Sequence, residues 1–284
     1  MTSRQVVNLV QRLVRPARTG HAGTLDPLAT GVLVVGVGPA TRLIQYVQEM
    51  PKRYVGQFLL GRQSPTEDIE GDVSELPDAP IPTREQVMEA AERFVGRIEQ
   101  RPPAFSALKV NGRRAYKLAR QGRQVQLAVR TIEIHGIEVR AFDYPELVLD
   151  VRCGSGTYIR SLGRDLAESL GTAAVMSALE RTSIGGFHVE EALDPCELDE
   201  DYLARRLQPP LKAVEHLHRI QLSTNQTAQI RNGLSIELEL EENTPPELAH
   251  ELFAAVDPAG QFVGILSRSA SGQLRTVRNF PTGV

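Results

Sequence analysis

The sequence contains few of the residues that mark a disulfide framework, a metal centre or a membrane span. Its only cysteines are Cys153 and Cys196, and it has no tryptophan. Two cysteines without a C-x-x-C or H-E-x-x-H pattern argue against a cysteine-rich scaffold and against the common zinc motifs. No apolar run has the length that a transmembrane helix needs. These absences favour a protein of a reducing, cytoplasmic compartment that binds no metal and does not enter the membrane.

Charge is distributed unevenly along the chain, although the formal net charge of the 284 residues is only −3. Between Arg97 and Arg130 there are nine basic residues and one acidic residue, Glu99. Between Glu190 and Asp257 there are fifteen acidic and five basic residues. This separation predicts that one region of the chain holds an anionic partner. Solvated helix faces are the alternative interpretation of the same charges.

The most distinctive stretch runs from Gly20 to Leu33 and reads G-H-A-G-T-L-D-P-L-A-T-G-V-L. Its single carboxylate, Asp26, is followed by Pro27, and its glycines allow tight turns and close approach of a partner. An Asx turn or a helix cap is the more common role for such an aspartate. The spacing fits neither a P-loop nor a dinucleotide-binding loop. A chemical role for Asp26 therefore stands beside the structural one.

This stretch resembles the catalytic motif of the TruB family of tRNA pseudouridine synthases. The resemblance implies that Asp26 is the acid that attacks the target nucleotide. It also implies that His21 fills the space that the base vacates when it leaves the stack. The sequence K-R-Y ending at Tyr54 is similar to the K-x-Y motif of the family. That similarity implies that Tyr54 stacks on the target base and is positioned to act as a base in the reaction.

Two later segments extend the resemblance in the same order along the chain. G-T-Y-I-R, ending at Arg160, is similar to the motif that places an arginine beside the catalytic aspartate. The match implies that Tyr158 is a substrate contact, and Leu179 corresponds to a leucine that packs against the inserted nucleotide. A buried cation beside Asp26 is expected to keep that carboxylate ionised and to lower its pKa. In isolation, each of these residues would be interpreted as structural.

A basic segment of about residues 101–125 resembles the family's thumb, which closes on the tRNA arm. It begins R-P-P-A-F-S-A-L-K, and Phe105 stands where many members carry tyrosine. Prolines and an Asn-Gly pair predict an insertion with its own hairpin and helix. Its cations suit phosphate contacts whose strength falls with salt concentration. The candidate backbone-binding residues are Lys109, Arg113, Arg114, Lys117 and Arg120.

The expected fold is α/β (α+β). A mixed-sheet pseudouridine synthase domain is predicted over residues 1–208, and a small PUA-like β-barrel is predicted over residues 209–284. Periodicity predicts a first helix that Thr2 and Ser3 can cap, a helix from Thr83 to Val95, and a surface loop from Gln63 to Pro82. Family members usually carry an additional strand before the aspartate motif. The sequence begins where that strand would end, so the strand is either absent or trimmed.

The leading hypothesis is an isomerase that converts the T-loop uridine of tRNA, position 55, to pseudouridine. That reaction needs no redox partner, metal or group donor, so no cofactor is expected. The expected partner is the tRNA T arm, bound by a monomer without an obligate protein partner. A non-catalytic tRNA-binding chaperone that opens the T arm is the alternative. The residues leave open whether Asp26 attacks C1′, attacks C6 or leads to a glycal intermediate.

Overall fold

The computed structural model describes residues 1–106, 108–110, 112–119, 121–122, 127–237, 252–269 and 272–280. In these ranges the α-helices are α1 (Ser3–Leu13), α2 (Ile44–Glu49), α3 (Arg84–Arg93), α4 (Ala115–Ala119), α5 (Ile159–Ser169), α6 (Glu200–Arg206) and α7 (Thr224–Arg231). Short 3₁₀ helices span Gly38–Leu43, Val189–Glu191, Pro195–Glu197 and Pro210–Val214. Within this part of the chain, no helix is both long and apolar enough to cross a membrane.

The described strands fall into two groups along the chain. The first nine are β1 (Thr19–His21), β2 (Ala29–Gly31), β3 (Val35–Val37), β4 (Lys52–Leu60), β5 (Arg62–Gln63), β6 (Ser74–Glu75), β7 (Gly96–Gln100), β8 (Lys109–Val110) and β9 (Arg113–Arg114). The others are β10 (Arg130–Asp143), β11 (Glu146–Cys153), β12 (Ala174–Ile184), β13 (Phe187–His188), β14 (His218–Gln221), β15 (Leu252–Val256), β16 (Phe262–Arg268) and β17 (Leu274–Asn279).

Internal contacts divide the chain into two compact units. One comprises Met1–Thr24, Leu33–Gln48 and Leu193–Val284, and the other comprises Leu25–Val32 and Glu49–Ala192. The stretch from Gly20 to Leu33 is shared between them, so His21 lies in the first unit and Asp26 in the second. The predicted domains, residues 1–208 and 209–284, stay a prediction.

The second unit is built on a mixed sheet, as the sequence predicts. Among the described residues, seven strands take part: six follow the order β13-β12-β4-β11-β10-β7, and β2 pairs with β12. The β2–β12 pair is parallel, whereas the other neighbouring strands are antiparallel. Buried apolar side chains of β4, β10, β11 and β12 form one core with α3 and α5. This core gives the candidate site a rigid support.

Helix α5 packs against β4 at Gly163, where there is no room for a side chain. A Cβ at this position would lie 2.1 Å from Cε1 of Phe58, a fully buried residue of β4. Close-packed interiors do not absorb such an overlap without displacement of the backbone. The glycine therefore fixes the height of α5 above β4 and, with it, the position of Arg160 in the first turn of the helix.

Two predicted helix starts are confirmed, and one predicted loop is wrong. Thr2 and Thr83 cap α1 and α3, each with a glutamine at the third helical position that completes a capping box. The interpretation of Gln63–Pro82 as a surface loop fails in its centre. Asp68 is only 2% exposed there and forms a β-bridge with Met176 of β12. A polar loop can be buried when each polar group finds a partner.

The first unit contains two further sheets in its described part. Strands β1 and β3 are antiparallel, and β14, β15, β16 and β17 form a four-stranded sheet in that order. Helix α7 is followed by Gly233 in a left-handed conformation, as is common at the end of a helix. Leu43 and Tyr46 pack with Val214 and with residues of the four-stranded sheet. The PUA-like barrel itself stays a prediction.

Gly31 should not tolerate a side chain. Its φ is +97°, and a Cβ would lie 2.2 Å from the carbonyl oxygen of Arg181 in the neighbouring strand β12. Left-handed strain alone costs about 1 to 3 kcal/mol. We therefore expect Gly31→Ala to lower the free energy of unfolding in urea by about 2 kcal/mol or more. Gly154→Ala is the matched control, since its Cβ would make only ordinary contacts at 3.6 Å; equal losses in both variants would contradict the expectation.

Candidate active site

A tight turn presents Asp26 next to the sheet. The carbonyl of Asp26 accepts a hydrogen bond from the N–H of Ala29 at 2.9 Å, and Pro27 occupies the second position of this turn. Proline favours that position because its ring presets φ. Strand β2 begins at Ala29 and pairs with β12, so the turn is anchored on its downstream side. The turn therefore holds Asp26 just before a short strand that is paired with its neighbour.

Arg160 forms an ion pair with Asp26. Its Nη2 donates to Oδ1 of Asp26 at 3.2 Å, and its Nε lies 2.9 Å from Oδ2 without the alignment of a hydrogen bond. The guanidinium is 5% exposed, whereas the carboxylate of Asp26 is 31% exposed. The arginine is thus part of the interior, and the aspartate is the member of the pair that a ligand can reach.

A second carboxylate shares the same arginine. Nη1 of Arg160 donates to Oδ2 of Asp68 at 2.9 Å and to the carbonyl of Thr66 at 2.8 Å. Its Nη2 also donates to the carbonyl of Phe105 at 3.2 Å. The planar fork of an arginine suits this arrangement, because it presents several donors in fixed directions. One buried cation therefore joins the Asp26 turn, the Asp68 loop and the start of the basic segment.

The two carboxylates differ in what surrounds them. Oδ1 of Asp68 accepts hydrogen bonds from the hydroxyl of Thr66 at 2.5 Å and from the N–H of Glu70 at 3.1 Å, while Oδ2 binds Arg160. Both carboxylate oxygens of Asp68 have hydrogen-bond partners, and its side chain is 3% exposed, so Asp68 serves as a fixed counter-ion. Asp26 is more exposed and more loosely bonded. Of the two carboxylates, Asp26 is the one available for chemistry.

Burial determines the protonation behaviour of Asp26. Its pKa is raised above the ordinary value of 3.8, first because burial disfavours the charged form and further because Asp68 lies nearby. Arg160 does lower the pKa, but it does not overcome these effects. The expectation of a lowered pKa is therefore wrong. It considered the cation and omitted both desolvation and the second carboxylate.

The raised pKa predicts the acid limb of the pH–rate profile. Attack requires the ionised carboxylate, so single-turnover rates should fall on acidification with a midpoint above 3.8. Because two carboxylates share Arg160, that midpoint belongs to the cluster. Asp68→Asn removes a negative neighbour and should move the limb to lower pH in a protein that remains folded. A midpoint at or below 3.8, the ordinary value for aspartate, would contradict this assignment.

Tyr54 and Leu179 lie on adjacent strands of the same sheet. Tyr54, on β4, packs against the main core, and burial raises the pKa of its hydroxyl while Arg181 lowers it. Charge on Asp26 also influences the hydroxyl, so the two groups share one electrostatic environment. Leu179 is 7% exposed and pairs with Ala29 of β2. Their proposed roles against a nucleotide stay predictions.

Tyr158 is held by a residue that sequence reasoning missed. The side-chain amide of Gln100, fully buried, accepts a hydrogen bond from the N–H of Tyr158 at 2.9 Å and donates to its carbonyl at 3.0 Å. The amide thereby satisfies both backbone polar groups of Tyr158, as a neighbouring strand would, and fixes the residue that precedes α5. The guanidinium of Arg130 lies over the ring of Tyr158, 4.7 Å from its centroid. The position of Gln100, two residues before the Pro102-Pro103 pair, was the available signal.

The Asp68 loop is also tied down by its neighbour Glu67, another residue that sequence reasoning missed. Glu67 has a left-handed φ of 63°, which is strained for a residue with a side chain. Its carboxylate accepts a hydrogen bond from the hydroxyl of Ser161 at 2.7 Å and forms an ion pair with Arg164. Burial nevertheless raises its pKa. Glu67 and Asp68 thus attach the loop to α5, through Ser161 and Arg160 respectively.

The remaining predicted residues are His21 and the cations of the basic segment. His21 belongs to β1 in the first unit, and its Nδ1 is buried with no hydrogen-bond partner among the described residues. Arg113, Arg114 and Lys117 are exposed on β9 and α4. Lys109 contributes backbone to β8, but its side chain and all of Arg120 fall outside the described residues. In the described ranges, no group of three or more His, Cys, Asp or Glu side chains could hold a metal ion.

Comparison with known proteins assigns the class. The family described as "TruB family pseudouridylate synthase (N terminal domain)" matches residues 11–159, a segment that contains Asp26, Tyr54 and Asp68. A chain of the Cbf5-Nop10-Gar1 complex superposes with a TM-score of 0.70 at 27% identity, covering 94% of this chain and 75% of that one. A chain of an H/ACA ribonucleoprotein bound to a substrate RNA gives a TM-score of 0.73 at 22% identity, which shows the fold. The chain has the fold and the sequence pattern of a pseudouridylate synthase.

Sequence relatives narrow the class to one family. tRNA pseudouridine synthase B of Clostridium perfringens is 38% identical over 273 residues, covering 96% of this chain and 92% of the relative. tRNA pseudouridine synthase B of Dehalococcoides mccartyi is 41% identical over 244 residues, covering 84% of this chain and 81% of the relative. The chain belongs to the TruB family of pseudouridylate synthases.

Proposed function

We propose that this chain is a tRNA pseudouridine synthase that isomerises the T-loop uridine at position 55. The observation that carries the proposal is the cluster in which buried Arg160 holds both Asp26 and Asp68, with Asp26 the more exposed carboxylate. The cluster lies in a chain of the TruB family, whose relatives are named tRNA pseudouridine synthase B. Its geometry fits a single acid acting on a bound nucleotide.

The reaction breaks the C1′–N1 bond of uridine and forms a C1′–C5 bond. The proton on C5 is lost and N1 gains a proton, so the reaction is an isomerisation without an external oxidant or group donor. Asp26 starts the cleavage as the attacking carboxylate, and Arg160 holds its orientation through both oxygens. Splitting one difficult step through a covalent intermediate lowers the barrier. Asp68 keeps Arg160 in place throughout.

The target base must leave its stack before Asp26 can reach it. Extrusion of a nucleotide costs a few kcal/mol. Stacking of the extruded base on Tyr54 would return about 1 to 3 kcal/mol. In this proposal Tyr158 and Leu179 form further contacts with the nucleotide, and His21 occupies the space that the base leaves.

The basic segment of about residues 101–125 acts as a thumb on the T arm in this proposal. Arg113, Arg114 and Lys117, all exposed, contact the phosphate backbone together with Lys109 and Arg120. The base of the segment touches the site directly, since the carbonyl of Phe105 accepts a hydrogen bond from Arg160. Phosphate contacts of this kind weaken steeply with salt.

The proposed organisation is a catalytic domain of residues 1–208 and a PUA-like domain of residues 209–284. The second region carries eight acidic and six basic residues, a balance that suits docking by shape more than a strong phosphate grip. We propose that the protein acts on tRNA as a monomer in the cytoplasm.

Mapping the modified position tests the proposal. A full-length tRNA transcript is incubated with the purified chain, treated with carbodiimide and read by primer extension, which stops at pseudouridine. We expect one enzyme-dependent stop, at position 55, and none in a transcript that carries cytidine there. Stops at another uridine, or none although the transcript is bound, would overturn the proposed specificity.

A further inference from the structure

Arg181 lies on the strand between β2, which follows Asp26, and β4, which carries Tyr54. It lies on β12, and its Cα pairs with Gly31 of β2 on one side and with Tyr54 of β4 on the other. The residue is 2% exposed. Neighbours directly opposite on antiparallel strands direct their side chains to the same face of the sheet. The side chains of Arg181 and Tyr54 therefore meet in the sheet interior.

The contacts of Arg181 connect the Asp26 segment to Tyr54. Nε of Arg181 donates to the carbonyl of Val32 at 2.8 Å, and the N–H of Val32 donates to the carbonyl of Arg181 at 2.8 Å. This reciprocal pair fixes the chain just after β2. The same guanidinium lies near enough to the hydroxyl of Tyr54, its cross-strand neighbour, to lower the pKa of that hydroxyl. Gly31 leaves the room that this close approach needs.

The chemistry of Arg181 and Tyr54 fixes which of the two groups can donate to the other. A guanidinium has five N–H donors and no acceptor. Arg181 can therefore only donate to the hydroxyl oxygen of Tyr54 and cannot accept its proton. We propose that Arg181 is a positioning residue that holds the Tyr54 hydroxyl in place beside the nucleotide bound at Asp26. This inference rests on the proposed function, which places the nucleotide against Tyr54.

Electrostatics agree with this arrangement. Burial raises the pKa of the Tyr54 hydroxyl, Arg181 opposes that shift, and Cys153 and Asp26 add to it. The pKa of Cys153 is itself raised to about 11, so its thiol is neutral over the ordinary pH range. The pKa of Lys52 is lowered to about 8, mainly by burial and in part by the nearby charge of Arg181. Among the groups that influence Tyr54, Arg181 is the one that favours charge on its oxygen.

The test places 3,5-difluorotyrosine at position 54 of the full chain and follows its ionisation by ¹⁹F NMR. This analogue ionises near neutral pH, so the titration is complete before the protein denatures. Removing the neighbouring cation in Arg181→Gln should raise the midpoint by about one pH unit or more. Arg181→Lys keeps the charge and loses the fork, so its midpoint should stay nearer to that of the native chain. An unchanged midpoint in folded Arg181→Gln protein would overturn the proposal.

Arg53→Gln is the matched control. Arg53 precedes Tyr54 on β4 and pairs with Asp150 in a bidentate ion pair. Its loss removes the same charge, and we expect the midpoint at position 54 to stay unchanged. If Arg181→Gln does not fold, Arg181→Lys serves as the test variant. A ¹⁹F resonance at position 54 that is displaced from that of the native chain, with a titration midpoint near the native one, supports the proposal. A resonance identical to that of the native chain overturns it.

An activity measurement with unmodified tyrosine separates this inference from the proposed function. Arg181→Gln should lower kcat for pseudouridine formation by about tenfold or more with KM little changed, since orientation acts on the reacting complex. If the native chain forms no pseudouridine, the proposed function fails, while the ¹⁹F titration still reports whether Arg181 holds the hydroxyl. A loss confined to KM would contradict the positioning role.

Discussion

Asp26→Asn should lower turnover by on the order of 10⁴-fold or more, the scale of loss when an attacking group is removed. The amide has nearly the same shape as the carboxylate but cannot attack the nucleotide. Arg160 keeps its hydrogen bonds to Asp68, Thr66 and Phe105, so its buried charge remains compensated. The fold and the affinity for RNA should therefore change little.

Single-turnover conversion and filter binding of the same tRNA measure the two quantities separately. Asp72→Asn is the matched control, because it removes the same charge from an exposed position in the second unit and should convert tRNA like the native chain. A variant at Asp26 that retains turnover within tenfold of the native rate would remove the central role from this residue. Loss of tRNA binding by Asp26→Asn would show that Asp26 acts in substrate binding, before the isomerisation step.

Arg160→Met should both destabilise the protein and stop the reaction. The substitution leaves Asp68, which is 3% exposed, without its cation and removes the group that orients Asp26. Breaking a buried ion pair by removing one partner typically costs about 3 to 5 kcal/mol. We expect a loss of that size in the free energy of unfolding, together with loss of turnover.

A double variant distinguishes the buried charge from the chemistry. Adding Asp68→Asn to Arg160→Met neutralises the stranded carboxylate, so part of the lost stability should return while turnover remains absent. Urea denaturation with both variants and the native chain supplies the comparison. If Arg160→Met alone costs less than about 1 kcal/mol, the pair behaves like a surface ion pair and the buried cluster is not what holds this site.

Local patterns predicted much of the second unit. Apolar residues alternate along β10 and β11, and a glycine turn precedes Tyr158 and α5, so these elements have local signals in the sequence. These elements depend on neighbouring residues, and periodicity reports neighbouring residues well. The motif around Asp26 was distinctive for the same reason, since its glycines and proline act within a few positions of the acid.

Long-range partners were not visible in the sequence. The segment that contains Asp68 is polar and bounded by proline, which is typical of a solvated loop. Its burial depends on Arg160, which is distant in sequence, and on packing against Met176. Gly71 was a local signal, because a Cβ there would lie 2.5 Å from the hydroxyls of Ser64 and Thr66. The raised pKa of Asp26 was missed because desolvation is a property of the folded chain.

The most direct measurement uses a T-arm stem-loop labelled with tritium at C5 of the target uridine. Formation of the C1′–C5 bond expels the hydrogen on C5, so tritium release reports the isomerisation itself. With native protein and no added cofactor, we expect release to approach one tritium for each arm, and no release with Asp26→Asn. No release by native protein that binds the arm would contradict the assignment of this site as a pseudouridine synthase centre.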